Sequence, residues 1–241
     1  MSIELPSHAN PFVYGFLQRL FRLIAAILLK QRIVGLENIP RDGAYLLVMN
    51  HLSIWDPPVV FMHTPRRMVS FVADKWQKNP FIRWVVSTIG VVWVARGEAD
   101  MSAIKQSLTF LRNGQPMGMA PEGTRSLTGA LIPGKTGAAY LADRAGIPLV
   151  PCVVYGTERV TENLKKLRRT EVVMEIGKPF TLPANGRAKA AELDRYTDQI
   201  MVSLAAMLPE QYRGVYAGHP LLAAALNGAS GPAALNGASG Q

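Results

Sequence analysis

Tyr45-Leu46-Leu47-Val48-Met49-Asn50-His51 runs five apolar residues without interruption into a polar pair. A strand with one wet face would alternate, so this run predicts a strand covered on both faces, the kind found inside α/β sheets. His51 then stands where the strand ends. Similar runs at Met68–Ala73, Val91–Ala95, Pro116–Ala120, Val150–Tyr155 and Glu171–Ile176 are read as further strands, and Ile33–Pro40 as a short strand running into a turn. Between them, helical spacing covers Phe81–Thr88, Ala99–Arg112, Gly134–Ala145 and Ala188–Met207, and Pro57-Pro58 suits the start of another helix. Strands alternating with helices imply an α/β fold, a mixed and mainly buried sheet flanked by helices.

Upstream, Phe12–Leu29 is rich in Leu, Ile and Phe but is interrupted by Gln18, Arg19 and Arg22. It lacks 18 consecutive apolar residues and a small-residue cleavage site, so neither an ordinary spanning helix nor a secretory signal is expected. As a helix it would be amphipathic. Phe12, Phe16, Leu20, Leu23 and Ile27 line one face, with Gly15, Arg19, Arg22 and Lys30 on or near another stripe. Such a helix either packs on the domain, against Val59, Val60 and Phe61, or lies in a bilayer interface with its cations at the headgroups. The expected organisation is a membrane-associating helix over residues 1–32, an α/β domain over 33–215 and a flexible tail over 216–241. The tail repeats Ala225–Gly231 as Ala234–Gly240.

Lys and Arg outnumber Asp and Glu by 26 to 17, a formal charge of +9 that suits anionic partners. Arg159, Lys165, Lys166, Arg168 and Arg169 concentrate part of it, either as a solvated loop or as a face toward anionic lipid or a carrier protein. No nucleic-acid recognition motif accompanies them. The single cysteine, Cys152, sits within an apolar strand and reads as a packed core thiol. His8, His51, His63 and His219 form no metal-ligand motif.

Chemistry concentrates beyond the strand ends, where open α/β sheets bind ligands. In His51-Leu52-Ser53-Ile54-Trp55-Asp56 a turn can bring the carboxylate back to the imidazole Nδ1, leaving Nε2 to accept a proton. The same spacing also fits a purely structural pair. No Gly-x-Ser-x-Gly elbow supplies a serine nucleophile, so such a histidine would act on a substrate hydroxyl directly. Pro121-Glu122-Gly123-Thr124-Arg125-Ser126 is the second constellation. Gly123 allows a tight turn there, and Arg125 could pair with a phosphate or with Glu122. Arg96, Lys75 and Lys135 add positive charge at other strand or turn positions. A backbone amide near the Gly123 turn is a candidate oxyanion donor.

Asn50-His51 with Asp56, the segment ending at Arg96, Pro121–Ser126 and Ile147–Pro151 occur in an order that resembles the four blocks of the lysophospholipid acyltransferase family. The likeness covers roughly Ile33 to Lys178. It implies that His51 is the base and Asp56 its orienting partner, and that Arg96, Glu122, Gly123 and Arg125 shape the acceptor site. Lys75 and Lys135 are added on chemistry and position alone. The implied reaction is acyl transfer from acyl-CoA or acyl carrier protein to the free hydroxyl of 1-acylglycerol 3-phosphate, giving phosphatidic acid without a further cofactor. The implied setting is the cytoplasmic face of a membrane, with peripheral or monotopic attachment. Glycerol 3-phosphate or another lysolipid as acceptor, and a non-catalytic lipid-binding protein, are the alternatives.

Overall fold

The computed structural model describes residues 10–94, 101–183 and 185–227. Among these residues seven strands form one sheet: β1 (Leu29–Val34), β2 (Leu46–Met49), β3 (Val69–Ala73), β4 (Val91–Val94), β5 (Met117–Met119), β6 (Leu149–Tyr155) and β7 (Thr170–Ile176). Their order across the sheet is β1-β7-β6-β2-β5-β3-β4. Strands β2 to β6 run parallel, whereas β7 lies antiparallel to β6 and carries β1 parallel to itself at the edge. The sheet is therefore mixed, as expected.

Residue alternation along β2 explains its unbroken apolar run. Leu46 and Val48 face one core, built with helices α4 (Met101–Arg112), α5 (Gly137–Ala145), α7 (Ala190–Met207) and α8 (Pro220–Asn227). Tyr45, Leu47 and Met49 face the other, closed by α1 (Pro11–Leu28) and α2 (Asp56–His63) together with Val160 of the short helix α6 (Val160–Lys165). Cys152 is fully enclosed in this second core, where burial pushes its thiol up and leaves it inert. Helix α3 (Pro80–Ile89) starts at Asn79, whose Oδ1 accepts from the amides of Phe81 and Ile82.

Helix α1 ends before the expected boundary. Leu29–Val34 leaves the helix to pair with β7, so Lys30 belongs to a strand and lies 3.6 Å from Glu171 rather than on a helical stripe. Its buried-exposed alternation is that of an edge strand. Gln18 and Arg22 of α1 also turn inward, whereas Arg19 stays exposed. Gln18 Nε2 donates to the carbonyls of Phe61 and Thr64 at 2.9 and 3.0 Å, and Arg22 donates to Met62. These bonds satisfy carbonyls in the last turn of α2 that no helical amide reaches. Tyr14 and Phe21 meet Phe61 edge-on. The opposite side of α1, with Phe12, Phe16, Leu20, Leu23, Ile24 and Ile27, faces solvent. By length and composition α1 is sufficient to cross a membrane.

At the other end, the segment expected to be a flexible tail begins as packed structure. Tyr216 and Leu222 are buried in the first core, and Tyr216 Oη accepts from the Gly134 amide at 3.0 Å. The Leu221-Leu222 pair supplies the apolar face that the repeat motif obscured. Residues 228–241 lie outside the described residues, as does the start of the helix expected at Ala99.

Candidate active site

The parallel strands deliver their carboxyl ends to one edge, and the candidate residues collect there. His51 follows β2, Glu122 follows β5 and Thr157 follows β6. Asn50 extends the β2–β6 pairing with its side chain, donating to Val154 O at 2.7 Å and accepting from Val154 N at 2.8 Å. That clamp fixes the strand exit from which His51 projects.

Asp56 opens α2 and its carboxylate is wholly buried. Oδ2 accepts from the amides of Leu52 and Ser53, both at 2.7 Å, and lies 3.1 Å from His51 Nδ1. The buried hydroxyl of Thr157 donates to Oδ1. A carboxylate can only accept, so this contact places the proton on Nδ1 of a neutral imidazole and leaves Nε2 unprotonated. The helix N-terminus adds a favourable field for the negative charge. His51 itself is partly open to solvent. The sequence brought His51 and Asp56 together correctly but did not reveal Thr157, which sits a hundred residues further on in sequence and carries no local motif.

The Pro121–Ser126 turn grips the main chain of His51 from both sides. Glu122 Oε1 accepts from the His51 amide at 2.8 Å, and the Ser126 amide donates to the His51 carbonyl at 2.8 Å. Glu122 Oε2 accepts from Ile132 N at 3.1 Å. Both carboxylate oxygens thus serve backbone amides, which leaves the Glu122–Arg125 pairing, one of the two alternatives for Arg125, unformed. Burial pushes the Glu122 carboxyl up to about 7, while the Ile132 and His51 amides oppose that shift. Ser126 closes the turn by donating to Ala130 O at 2.6 Å.

Gly123 has φ 67, a left-handed conformation that glycine adopts without penalty. A Cβ there would crowd Lys135 Nζ at 3.3 Å, so Lys135 does lie beside this turn. The Gly123 amide already donates to Ala120 O at 3.0 Å, which removes this one amide from those near the turn considered as oxyanion donors. Arg125 is half-buried, with no side-chain partner among the described residues. Lys75 follows β3 at the same sheet edge, but its ammonium sits 5.2 Å from the Trp76 ring centre. Arg96 lies outside the described residues. Among the described residues no cluster of His, Cys, Asp and Glu could hold a metal ion.

The acyltransferase family model matches residues 30–155, which spans both the His51 and Glu122 turns. This chain belongs to the acyltransferase family. A 1-acyl-sn-glycerol-3-phosphate acyltransferase of Haemophilus influenzae is 27% identical over 210 residues, covering 84% of this chain and 85% of that protein. A chloroplastic 1-acyl-sn-glycerol-3-phosphate acyltransferase of Brassica napus is 32% identical over 135 residues, 54% of this chain and 39% of the relative. The chain spans less than two thirds of several curated relatives, including one from Chlamydomonas reinhardtii of which it covers 55%. The crystal structure of the 1-acyl-sn-glycerophosphate acyltransferase PlsC from Thermotoga maritima shares the fold. Its TM-score is 0.62 at 24% identity, with 78% of this chain and 76% of that one covered.

Proposed function

We propose that this acyltransferase-family chain moves an acyl group from a coenzyme A or acyl carrier protein thioester to the free hydroxyl of 1-acylglycerol 3-phosphate. The products are phosphatidic acid and the free thiol. The observation that carries this reading is the His51–Asp56 pair at the carboxyl edge of the sheet, with His51 Nε2 free and its main chain held by the Glu122 turn.

In the reaction, His51 Nε2 takes the acceptor hydroxyl proton as the oxygen attacks the thioester carbonyl. Asp56 stabilises the imidazolium that forms and keeps its ring oriented. The tetrahedral intermediate collapses with cleavage of the C–S bond, and the imidazolium proton goes to the departing thiolate. Holding both substrates at one edge replaces a chance encounter with an oriented one. Arg125, with Arg96, binds the acceptor phosphate, for which a planar guanidinium is suited. Lys135 beside Gly123 and Lys75 at the same edge add positive potential. The thioester is a substrate, and no cofactor enters the scheme.

Attachment is peripheral or monotopic, at the cytoplasmic face where such thioesters are met. The outward apolar face of α1 supports this, since its inward face is committed to α2. The test is product identification by mass spectrometry, using the full chain with an acyl thioester and a panel of acceptors. Phosphatidic acid should form from 1-acylglycerol 3-phosphate and vanish with His51→Ala. A product only from glycerol 3-phosphate or another lysolipid would reassign the acceptor. A folded His51→Ala protein with near-normal turnover would end the base assignment. Arg125→Ala should raise the acceptor KM, with Arg125→Lys rescuing it only in part.

A further inference from the structure

Between α6 and β7 the chain turns through Lys165-Lys166-Leu167-Arg168-Arg169, and all five residues are exposed. Leu167 has φ 52, the only positive φ of a non-glycine among the described residues. Its side chain is 96% exposed, more than that of any other large apolar residue described. A turn that met only water would be served by Gly or Asn, which adopt this conformation more readily and expose no apolar surface. A leucine here is disfavoured twice, in backbone and in solvation. Both penalties fall on one residue flanked by cations.

The turn is also fixed in place. Arg169 donates to the carbonyls of Ala26 and Leu29, at 2.8 and 2.6 Å, at the C-terminal end of α1. That end carries the exposed side chains of Leu23 and Ile27. Lys166 is held by Glu162 at 2.6 Å, whereas Lys165 and Arg168 have no ion-pair partner among the described residues. At the other end of α6, Thr161 accepts from Trp55 Nε1 at 2.9 Å, and Trp55 lies in the turn that joins His51 to Asp56. The basic turn, the end of α1 and the His51 turn are therefore linked by direct contacts.

We infer that the Lys165–Arg169 turn is a second membrane contact, in which Leu167 enters the interface of an anionic bilayer while Lys165 and Arg168 meet lipid phosphates. This rests on the proposed membrane attachment through α1 and extends it. An acidic carrier protein would satisfy the cations but would give no reason for an exposed apolar tip on a turn anchored to the end of α1. Two contacts fix the tilt of the domain as one helix cannot, and α6, six residues or about 9 Å long, then keeps the His51 turn near the lipid surface.

Sedimentation of the full chain with phosphatidylcholine vesicles containing graded phosphatidylglycerol tests the inference. Leu167→Gly relieves the backbone penalty and leaves the fold intact, so a drop in binding reports the side chain. Its partition coefficient should fall about tenfold, on the scale of burying one leucine. Lys165→Glu with Arg168→Glu should abolish the dependence on phosphatidylglycerol and salt. Turnover on detergent-dispersed substrate should not change in either variant. Because Cys152 is buried, a polarity-sensitive dye on Leu167→Cys labels that site alone and should shift to the blue on vesicles. Wild-type binding by the turn variants, or no dye shift, overturns the inference. If Leu20→Glu with Leu23→Glu loses binding while the turn variants retain it, the α1 reading stands without the turn. If the α1 variant also binds normally, membrane attachment itself fails. A raised KM for an acyl carrier protein thioester with unchanged vesicle binding would assign the turn to carrier docking and overturn the lipid assignment.

Discussion

Asp56→Asn changes one atom at the centre of the site and tests the proposed chemistry most directly. Asp56 Oδ2 faces two amides at 2.7 Å, so the new side chain must keep its oxygen there; an NH2 group would meet two N–H donors. The nitrogen then turns to Thr157, whose hydroxyl can accept as well as donate. The fold is expected to survive. What disappears is the negative charge beside an imidazole nitrogen 3.1 Å away. At an effective dielectric of about 20, unit charges at that separation attract by about 5 kcal/mol. Solvent at the partly exposed His51 ring and the retained neutral hydrogen bond offset part of that, leaving about 3–4 kcal/mol, or a hundred- to thousandfold in rate. Initial rates at saturating lysophosphatidate and acyl thioester, followed by thiol release, should show that loss in kcat with the acceptor KM little changed. Circular dichroism and thermal unfolding check the fold. A folded Asp56→Asn protein with kcat within about threefold of wild type would refute the role given to the charge.

Thr157→Val removes the hydroxyl that reaches Asp56 Oδ1 without changing side-chain shape. It should lower stability by about 1–3 kcal/mol and kcat by about tenfold, with acceptor KM unchanged and activity restored by Thr157→Ser; a normal kcat would leave Thr157 a packing residue. Glu122 is raised from 4.5 to about 7, so its contribution to stability is full below pH 4.5 and is lost as pH rises through 7. Glu122→Gln, although less stable overall because its NH2 faces an amide, should show a flatter fall in unfolding temperature across that window; parallel curves for the two proteins would contradict the assignment. Gly156 has φ 87, and a Cβ would run into the Glu171 carbonyl oxygen, so Gly156→Ala should lower the unfolding temperature by about 10 °C or more. A shift under about 2 °C would show that β7 yields more easily than its pairing suggests.

The central strands were legible because burial on both faces leaves a continuous apolar run, as in β2 and β6. Strand β1 was not. Leu29-Lys30-Gln31-Arg32 follows an apolar helix with no Gly or Pro between, and its alternation is too short to outweigh the helical pattern. Arg22 was read with the basic stripe and Gln18 only as an interruption of the apolar stretch, because sequence cannot show that the last carbonyls of α2 lie within their reach. The His51–Asp56 pairing was readable since both ends lie within one turn. The grip of the Glu122 side chain and the Ser126 amide on the His51 main chain was not, because bonds to the main chain from a distant turn leave no trace in residue spacing. The likeness to the acyltransferase blocks located the Glu122 turn, but it did not reveal that the two blocks are joined through the His51 backbone.

The edge pairing of β1 also sets an order of events during synthesis. Among the described residues, β1 pairs only with β7, and Leu29 lies opposite Thr170. Roughly 140 residues must be added before that partner exists, which takes some 7–30 s at about 5–20 residues per second. The first strand to be made is thus the last that can dock, and loop-closure entropy delays it further. Until then Leu29–Val34 holds its amides and carbonyls unpaired beside an apolar helix, a combination prone to adhere to whatever surface it meets first. The interval between translation of α1 and closure of the sheet is when this chain is most exposed to misassembly, and a chaperone or bilayer that shields it has only those seconds in which to act.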